Sequence, residues 1–384
     1  MEEQLEQFIG KQGWSMFGIV EFEKIRKNLE KHEKIFQEWV KKGFEADMDY
    51  LEKMEDDRYH PDHKLPDVKS VIVLGAIYSD GGSNSGSNSG SNGGSNSGSN
   101  GGPNGGPNGG APRRSRATVA RYARGRDYHK VLKRKLIDLS NWLKTSNVKG
   151  SASGGSNVET YVSVDSGPTV DRVLAEAAGL GFFGKNTCLI DPSKGSYFFI
   201  ASVLTNLELE STSKKHMPNC GDCQNCLKNC PTGALVKPGV LDARKCISYL
   251  TIENKEGIPV DLRPKIGNRL FGCDACQEVC PFNVGRAHKQ EVRIEKLEGR
   301  NGVGESLDLR EVLSIRTDEE FKEKFAGTPL MRAKRRGLLR NACVVAGNSD
   351  EKSLIPYLEE LIERESDKML KEHAEWGIEQ LQNF

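Results

Sequence analysis

Apolar positions follow two different rhythms along this chain. Over roughly the first 55 residues they are scattered among Glu and Lys, with Trp39, Val40, Phe44 and Tyr50 as anchors. This stretch reads as helices, brought to an end by Pro61 and Pro66. Ser70-Val-Ile-Val-Leu-Gly-Ala-Ile-Tyr78 is then a continuous apolar run rich in β-branched residues, as a buried strand requires. Thr160–Val164 and Tyr197–Leu204 repeat that signal. Between them, Leu132, Leu136, Leu139 and Leu143 fall at helical spacing within Lys130–Leu143, and a further helix is expected over Asp171–Ala178. Beyond Pro281 the helical rhythm returns. Met331–Arg340 opens a helix with Leu338, Leu339, Cys343 and Val344 on its apolar face, and Ser353–Arg364 and Leu370–Leu381 follow as a short HEAT-like repeat.

These elements divide the chain into an α/β region over 1–210, a cysteine-rich segment over 211–285 and a helical region over 286–384. The overall class is α+β. Residues 80–110 are almost all Gly, Ser, Asn and Pro. They cannot bury apolar surface, so a flexible loop is expected there, interrupting the first region rather than ending it.

A length of 384 residues accommodates two or three domains, and a net charge of +1 excludes bulk polyelectrolyte binding, so a nucleic-acid partner needs a local basic patch. The acidic opening Met-Glu-Glu-Gln-Leu-Glu-Gln is unlike a secretory or organellar leader, and no apolar stretch approaches the roughly 20 residues that span a bilayer. A cytoplasmic protein is expected.

Candidate chemistry is concentrated in two cysteine runs. Cys220, Cys223, Cys226 and Cys230 form C-x2-C-x2-C-x3-C-P; Cys273, Cys276 and Cys280 form C-x2-C-x3-C-P, with Cys246 between the runs. The first spacing is that of bacterial two-cluster ferredoxins. Three thiolates wrap one [4Fe–4S] cubane, and the cysteine before proline is carried to the other. The rule pairs Cys220, Cys223 and Cys226 with Cys280, and Cys273 and Cys276 with Cys230 and Cys246, in a ferredoxin-like segment. Zinc is the main rival for C-x2-C pairs, but two C-P endings and eight ligands favour clusters. Disulfides are disfavoured without an export signal. Cys188 and Cys343 are expected to be packed core thiols.

Two further features are weaker. Gly179-Leu-Gly181-Phe-Phe-Gly184-Lys185-Asn186 contains a literal G-x-G-x-x-G, but a helix precedes it and a strand-like Cys188-Leu-Ile190 follows. That is the reverse of a nucleotide-binding context, and Gly179 reads as a helix C-cap. Arg113, Arg114, Arg116, Arg121, Arg124 and Arg126, interleaved with Tyr122, Tyr128 and His129, read either as a solvated basic face or as contacts to RNA phosphates.

Several longer motifs occur together and in order: Met48-Asp-Tyr-Leu51, Ser70–Leu74, Arg121-Tyr-Ala-Arg-Gly-Arg-Asp-Tyr-His129, Val164-Asp165-Ser-Gly, Ala178–Asn186, Ile266-Gly-Asn-Arg-Leu-Phe-Gly-Cys273 and Arg340-Asn-Ala342. On these the chain resembles, over nearly its whole length, the epoxyqueuosine reductases, bacterial enzymes that complete queuosine in tRNA. The 80–110 loop departs from that pattern. The resemblance implies a nitroreductase-like N-terminal region holding a base-off cobalamin beside two [4Fe–4S] clusters. The usual D-x-H-x-x-G corrinoid signature is broken, since Asp127-Tyr-His129 begins it and Leu132 replaces the glycine, but the family lacks that signature too. Corrinoid-facing positions implied are Arg58, Asp165, Lys185, Asn186, Leu189, Ile200 and Ser248, with the backbone at Asp274 and Ala275. Asp165 is implied as the catalytic proton donor, kept protonated by burial.

The implied substrate is an anticodon-loop base in tRNA, held by phosphate contacts from the arginines of 113–126 and 332–340. An electron donor such as ferredoxin or flavodoxin is also implied, and a monomer is expected. Three other classes stay open on the residues alone: a corrinoid reductive dehalogenase, which normally carries a twin-arginine leader; a non-catalytic iron–sulfur electron carrier; and an iron–sulfur RNA-binding protein without corrinoid.

Overall fold

The computed structural model describes residues 2–78, 115–145, 157–165, 167, 169–212, 217–284, 294–298 and 301–383. The Gly/Ser/Asn loop of 80–110, Arg113 and Arg114 lie outside the described residues. The strands are β1 (Met16–Glu21), β2 (Ser70–Ile77), β3 (Arg116–Val119), β4 (Thr160–Ser163), β5 (Phe182–Phe183), β6 (Leu189–Ile190), β7 (Phe198–Thr205), β8 (Leu235–Lys237), β9 (Val240–Leu241), β10 (Arg269–Phe271) and β11 (Ser306–Asp308).

The principal sheet has the order β1-β2-β7-β4, and every neighbouring pair is antiparallel. Its strands alternate their apolar side chains between two faces. Ile72, Leu74, Phe199, Ala201 and Val203 meet Leu132, Leu136, Leu139 and Leu143 of the helix Tyr128–Thr145 and Leu5 and Ile9 of the helix Glu2–Lys11. Val71, Val73, Ile77 and Leu204 meet Phe22, Ile25 and Leu29 of the helix Phe22–Val40, with Val173 and Leu174 of the helix Asp171–Ala177. Helices on both faces explain why β2 is apolar without a break.

One expectation fails here. The first 55 residues are not all helical, because β1 forms the sheet edge between the first two helices. Met16-Phe-Gly-Ile-Val-Glu21 is short and charged at its end, so its period is easily lost among helix formers. Gly18 marks it: a Cβ there would lie 2.1 Å from the Ala178 carbonyl oxygen, so only glycine lets the strand cross the end of the helix Asp171–Ala177.

The second core is built around three long helices, Lys334–Gly347, Ile355–Arg364 and Lys368–Asn383. It also takes in β10 and the helix Ile247–Ile252 from the cysteine-rich segment, and β3 from before it. β3 pairs in parallel with β10 and antiparallel with β11. At the junction Arg340 is 1% exposed, and its guanidinium donates to the carbonyls of Leu250, Asn254 and Glu256. Asn341 donates to those of Thr251 and Leu270. Arg340 is therefore no phosphate contact. The carbonyls at the end of the helix Ile247–Ile252 need donors, and a five-donor guanidinium fills that need.

Candidate active site

Two centres are assembled between these cores, and the first is made of thiols. The cysteine runs carry short helices, Asn225–Lys228 and Ala275–Glu278, which pack against each other. Cys220, Cys223, Cys226 and Cys280 line one cavity, the same four that the spacing rule groups together. Cys246, Cys273, Cys276 and Cys230 share a second neighbourhood. Burial pushes the Cys273 thiol up to about 12, with Cys246 and Cys276 adding to the effect, and Cys246 is raised by burial and by Cys276 and Cys230. Thiols crowded together this way are costly to ionise, and a cationic iron core relieves that cost. All ten cysteines are free. The first four thiols line a cavity together with Lys185, Asn186 and Phe282. Cys343 is a fully buried core thiol as expected. Cys188 is not: it is half-buried, and its N–H donates to Asn186 Oδ1.

The second centre is made of carboxylates and an imidazole. Asp165 follows β4 with φ +46°, a left-handed conformation that Asp tolerates better than most residues. Its N–H donates to Asp171 Oδ2 at 2.9 Å. The Tyr128 hydroxyl donates to Asp165 Oδ2, and His129 Nε2 lies 3.4 Å from the same oxygen. His129 Nδ1 is 3.0 Å from Asp127 Oδ1. Tyr128 stacks on Phe199 of β7, which fixes this face of the site to the sheet.

The resulting protonation differs from the expected one. Burial works against the charge on Asp165, but hydrogen bonds from His129 and Tyr128 outweigh it and hold the carboxyl below its usual range. Its side chain is also 63% exposed, which weakens burial as a cause. Burial opposes the charge on His129 as well, but hydrogen bonds to Asp127 and Asp165 lift it to about 9. At neutral pH the proton therefore rests on His129, not on Asp165. The carboxyl that burial does raise is Asp171, to about 7. The Asp127–His129–Asp165 arrangement was missed in the sequence; its signal was the D-x-H that begins an otherwise broken corrinoid signature.

The positions implied to face a corrinoid fall in several places. Arg58 bears electrostatically on Asp171, beside Asp165. Leu189 is buried in β6, Ile200 packs from β7, and Ser248 is half-buried in the helix Ile247–Ile252. Asp274 precedes the helix Ala275–Glu278, and its carboxylate accepts the Arg121 N–H at 2.8 Å. Ala275 is buried beside it. Lys185 and Asn186 are instead engaged with the cysteine loops: Lys185 Nζ donates to Gly221 O and Cys223 O, and Asn186 Nδ2 to Cys276 O. Around the Asp274 loop, Arg121 Nε, Tyr197 Oη and Gln277 Nε2 are buried without a hydrogen-bond partner. Unpaired polar atoms of this kind fit a ligand rich in amide groups.

The remaining expected RNA contacts are largely committed. Arg332 is held by both carboxylate oxygens of Glu253, Arg335 by both of Glu365, and Arg336 by Asp367. Arg116 donates to Ser306 and Arg124 to the Val119 carbonyl. No helix among the described residues is long and apolar enough to cross a membrane.

A mixed α/β fold whose cysteines carry the spacing of a two-cluster ferredoxin belongs to the class of iron–sulfur proteins. The description "4Fe-4S double cluster binding domain" matches residues 219–283, and "Epoxyqueuosine reductase QueG, DUF1730" matches residues 58–166. An epoxyqueuosine reductase of Pseudomonas aeruginosa is 35% identical, over 95% of this chain and 90% of that protein. The solved epoxyqueuosine reductase of Streptococcus thermophilus superposes with a TM-score of 0.76 at 25% identity, covering 100% of this chain and 91% of that one. A crystal structure of epoxyqueuosine reductase with a tRNA-Tyr epoxyqueuosine-modified stem loop superposes with a TM-score of 0.70 at 29% identity, covering 99% and 98%. The chain belongs to the epoxyqueuosine reductase family.

Proposed function

We propose that this chain reduces epoxyqueuosine to queuosine at the wobble position of tRNA, the final step of queuosine formation. The observation that carries the reading is the Asp165–His129 pair, a proton store in a chain that belongs to this family and carries a double-cluster segment. The overall change is balanced: the epoxide oxygen leaves as water, one carbon–carbon double bond forms, and two electrons and two protons are consumed.

The eight cysteines would hold two [4Fe–4S] clusters that take single electrons from a donor such as a ferredoxin or flavodoxin. A corrinoid would be held through Arg58, Ile200, Ser248 and the Asp274–Ala275 backbone, and would supply two-electron reduction at carbon. The chain's own work is proton delivery. His129 carries the proton at neutral pH, Asp127 fixes its ring through Nδ1, and Asp165 relays the proton to the departing oxygen. The Tyr128 hydroxyl steadies the carboxylate between transfers. Asp171 holds the Asp165 backbone in place.

The test is anaerobic reconstitution with iron, sulfide and cobalamin, metal analysis, and nucleoside analysis of epoxyqueuosine-bearing tRNA after incubation with a reductant. About eight irons and one cobalt per chain with queuosine formed supports the proposal. Eight irons without cobalt uptake removes the corrinoid, and zinc in place of iron removes the clusters.

A further inference from the structure

The context of the turn Gly184-Lys185-Asn186 is not that of a nucleotide-binding motif. Its side chains grip both cysteine loops. The Lys185 N–H points at Cys220 Sγ at 3.4 Å, and its Nζ donates to Gly221 O at 2.6 Å and to Cys223 O at 3.0 Å. Its carbonyl accepts the Gly239 N–H at 2.9 Å, fixing the turn from the other side. Asn186, 4% exposed, donates to Cys276 O at 3.3 Å and accepts the Cys188 N–H at 3.2 Å. Lys185 and Asn186 line the cavity ringed by Cys220, Cys223, Cys226 and Cys280. Among the described residues no carboxylate pairs with Lys185 Nζ, so its charge is not cancelled at close range.

We propose that Lys185 is a positioning residue that sets the reduction potential of the cluster held by Cys220, Cys223, Cys226 and Cys280. This rests on the reading of those thiols as cluster ligands. A cluster gains negative charge on reduction, so a fixed ammonium beside the Cys220–Cys223 loop favours the reduced form. An N–H aimed at a ligand sulfur acts in the same direction. The backbone donor survives any side-chain change; the ammonium does not. The turn thus makes one cluster of the pair the better electron acceptor.

The experiment is a redox titration of the anaerobic holoenzyme followed by electron paramagnetic resonance, with iron counted in every sample. Lys185→Met and Lys185→Gln both remove the charge, while glutamine keeps a donor for the two carbonyls and so protects the loop. Both are expected to lower one of the two midpoints by about tenfold in the one-electron equilibrium, about 59 mV, and to leave the other in place. Lys185→Arg should restore the wild-type value. Unmoved midpoints in the glutamine variant overturn the proposal, as does loss of half the iron from that variant, which would make Lys185 a structural tether only. A wild-type chain that takes up no iron fails the cluster reading. A chain with both clusters but no queuosine formation fails the function while leaving the potentials readable.

Discussion

The thiol centre and the carboxylate centre are specified in opposite ways. Cysteines 220, 223 and 226 are set by local spacing, so the chain itself delivers three thiols to one place. Asp165 and His129 are 36 residues apart in sequence and meet only because the helix Tyr128–Thr145 packs on the sheet whose edge strand is β4. Only the fourth thiol of the first group, Cys280, has to be brought in by the fold. The second depends on the fold to keep a 3.4 Å contact.

The sharpest test of that contrast is Cys223→Ser. It should leave about four of eight irons and abolish queuosine formation while the sheet still folds. Near-normal iron would show that the pairing by spacing is wrong. Asp165→Asn should do the reverse: full iron content with turnover reduced by about 10²–10⁴-fold, the usual worth of a positioned proton donor. Normal turnover in this variant would remove Asp165 from the chemistry.

How far each centre was legible follows from the same difference. The double-cluster segment could be read because C-x2-C spacing is a local property, and the four thiols that the spacing groups first line one cavity. Asp165 could be singled out only through family resemblance, and its protonation was misjudged because the partners that lower it, His129 and Tyr128, come from a distant helix. The strands β2, β4 and β7 were visible as apolar runs; β1 was hidden because an edge strand with a central glycine resembles the helices around it. Arg340 was misread for a related reason. A basic run looks solvated in sequence, and only the fold reveals which arginine caps a buried helix end.

Arg340→Met measures that hidden structural role. It strands the carbonyls of Leu250, Asn254 and Glu256 in the core, and a loss of about 3 kcal/mol is expected, read as a lower denaturation midpoint with cluster ligands untouched. A midpoint within experimental error of wild type would mean water satisfies those carbonyls.

His129→Gln addresses the carboxylate centre through pH. The folded imidazole, raised to about 9, lies above its unfolded value near 6.5, so its ion pairs stabilise the fold fully below about pH 6.5 and are lost as pH rises through about 9. The stability gap between wild type and variant should therefore be widest near pH 6 and close by about pH 9.5. A gap independent of pH would show that the His129 imidazole is not raised by its carboxylate partners.

The smallest effect is expected at the basic run of the last region. Arg332 and Arg336 were expected to touch RNA phosphates, yet Arg332 lies 2.7 Å from Glu253 and Arg336 meets Asp367. Exposed pairs of this kind are worth about 0.2–1 kcal/mol, so Arg332→Gln should barely change stability. The informative measurement is the salt dependence of binding to a tRNA stem loop. A free arginine on a phosphate contributes nearly one unit to that slope, because it releases a counterion. An arginine already neutralised by Glu253 releases none, so the slope should stay unchanged in the variant. A fall of about one unit would show that RNA pulls Arg332 away from Glu253, and that the pair guards a phosphate site until the substrate arrives.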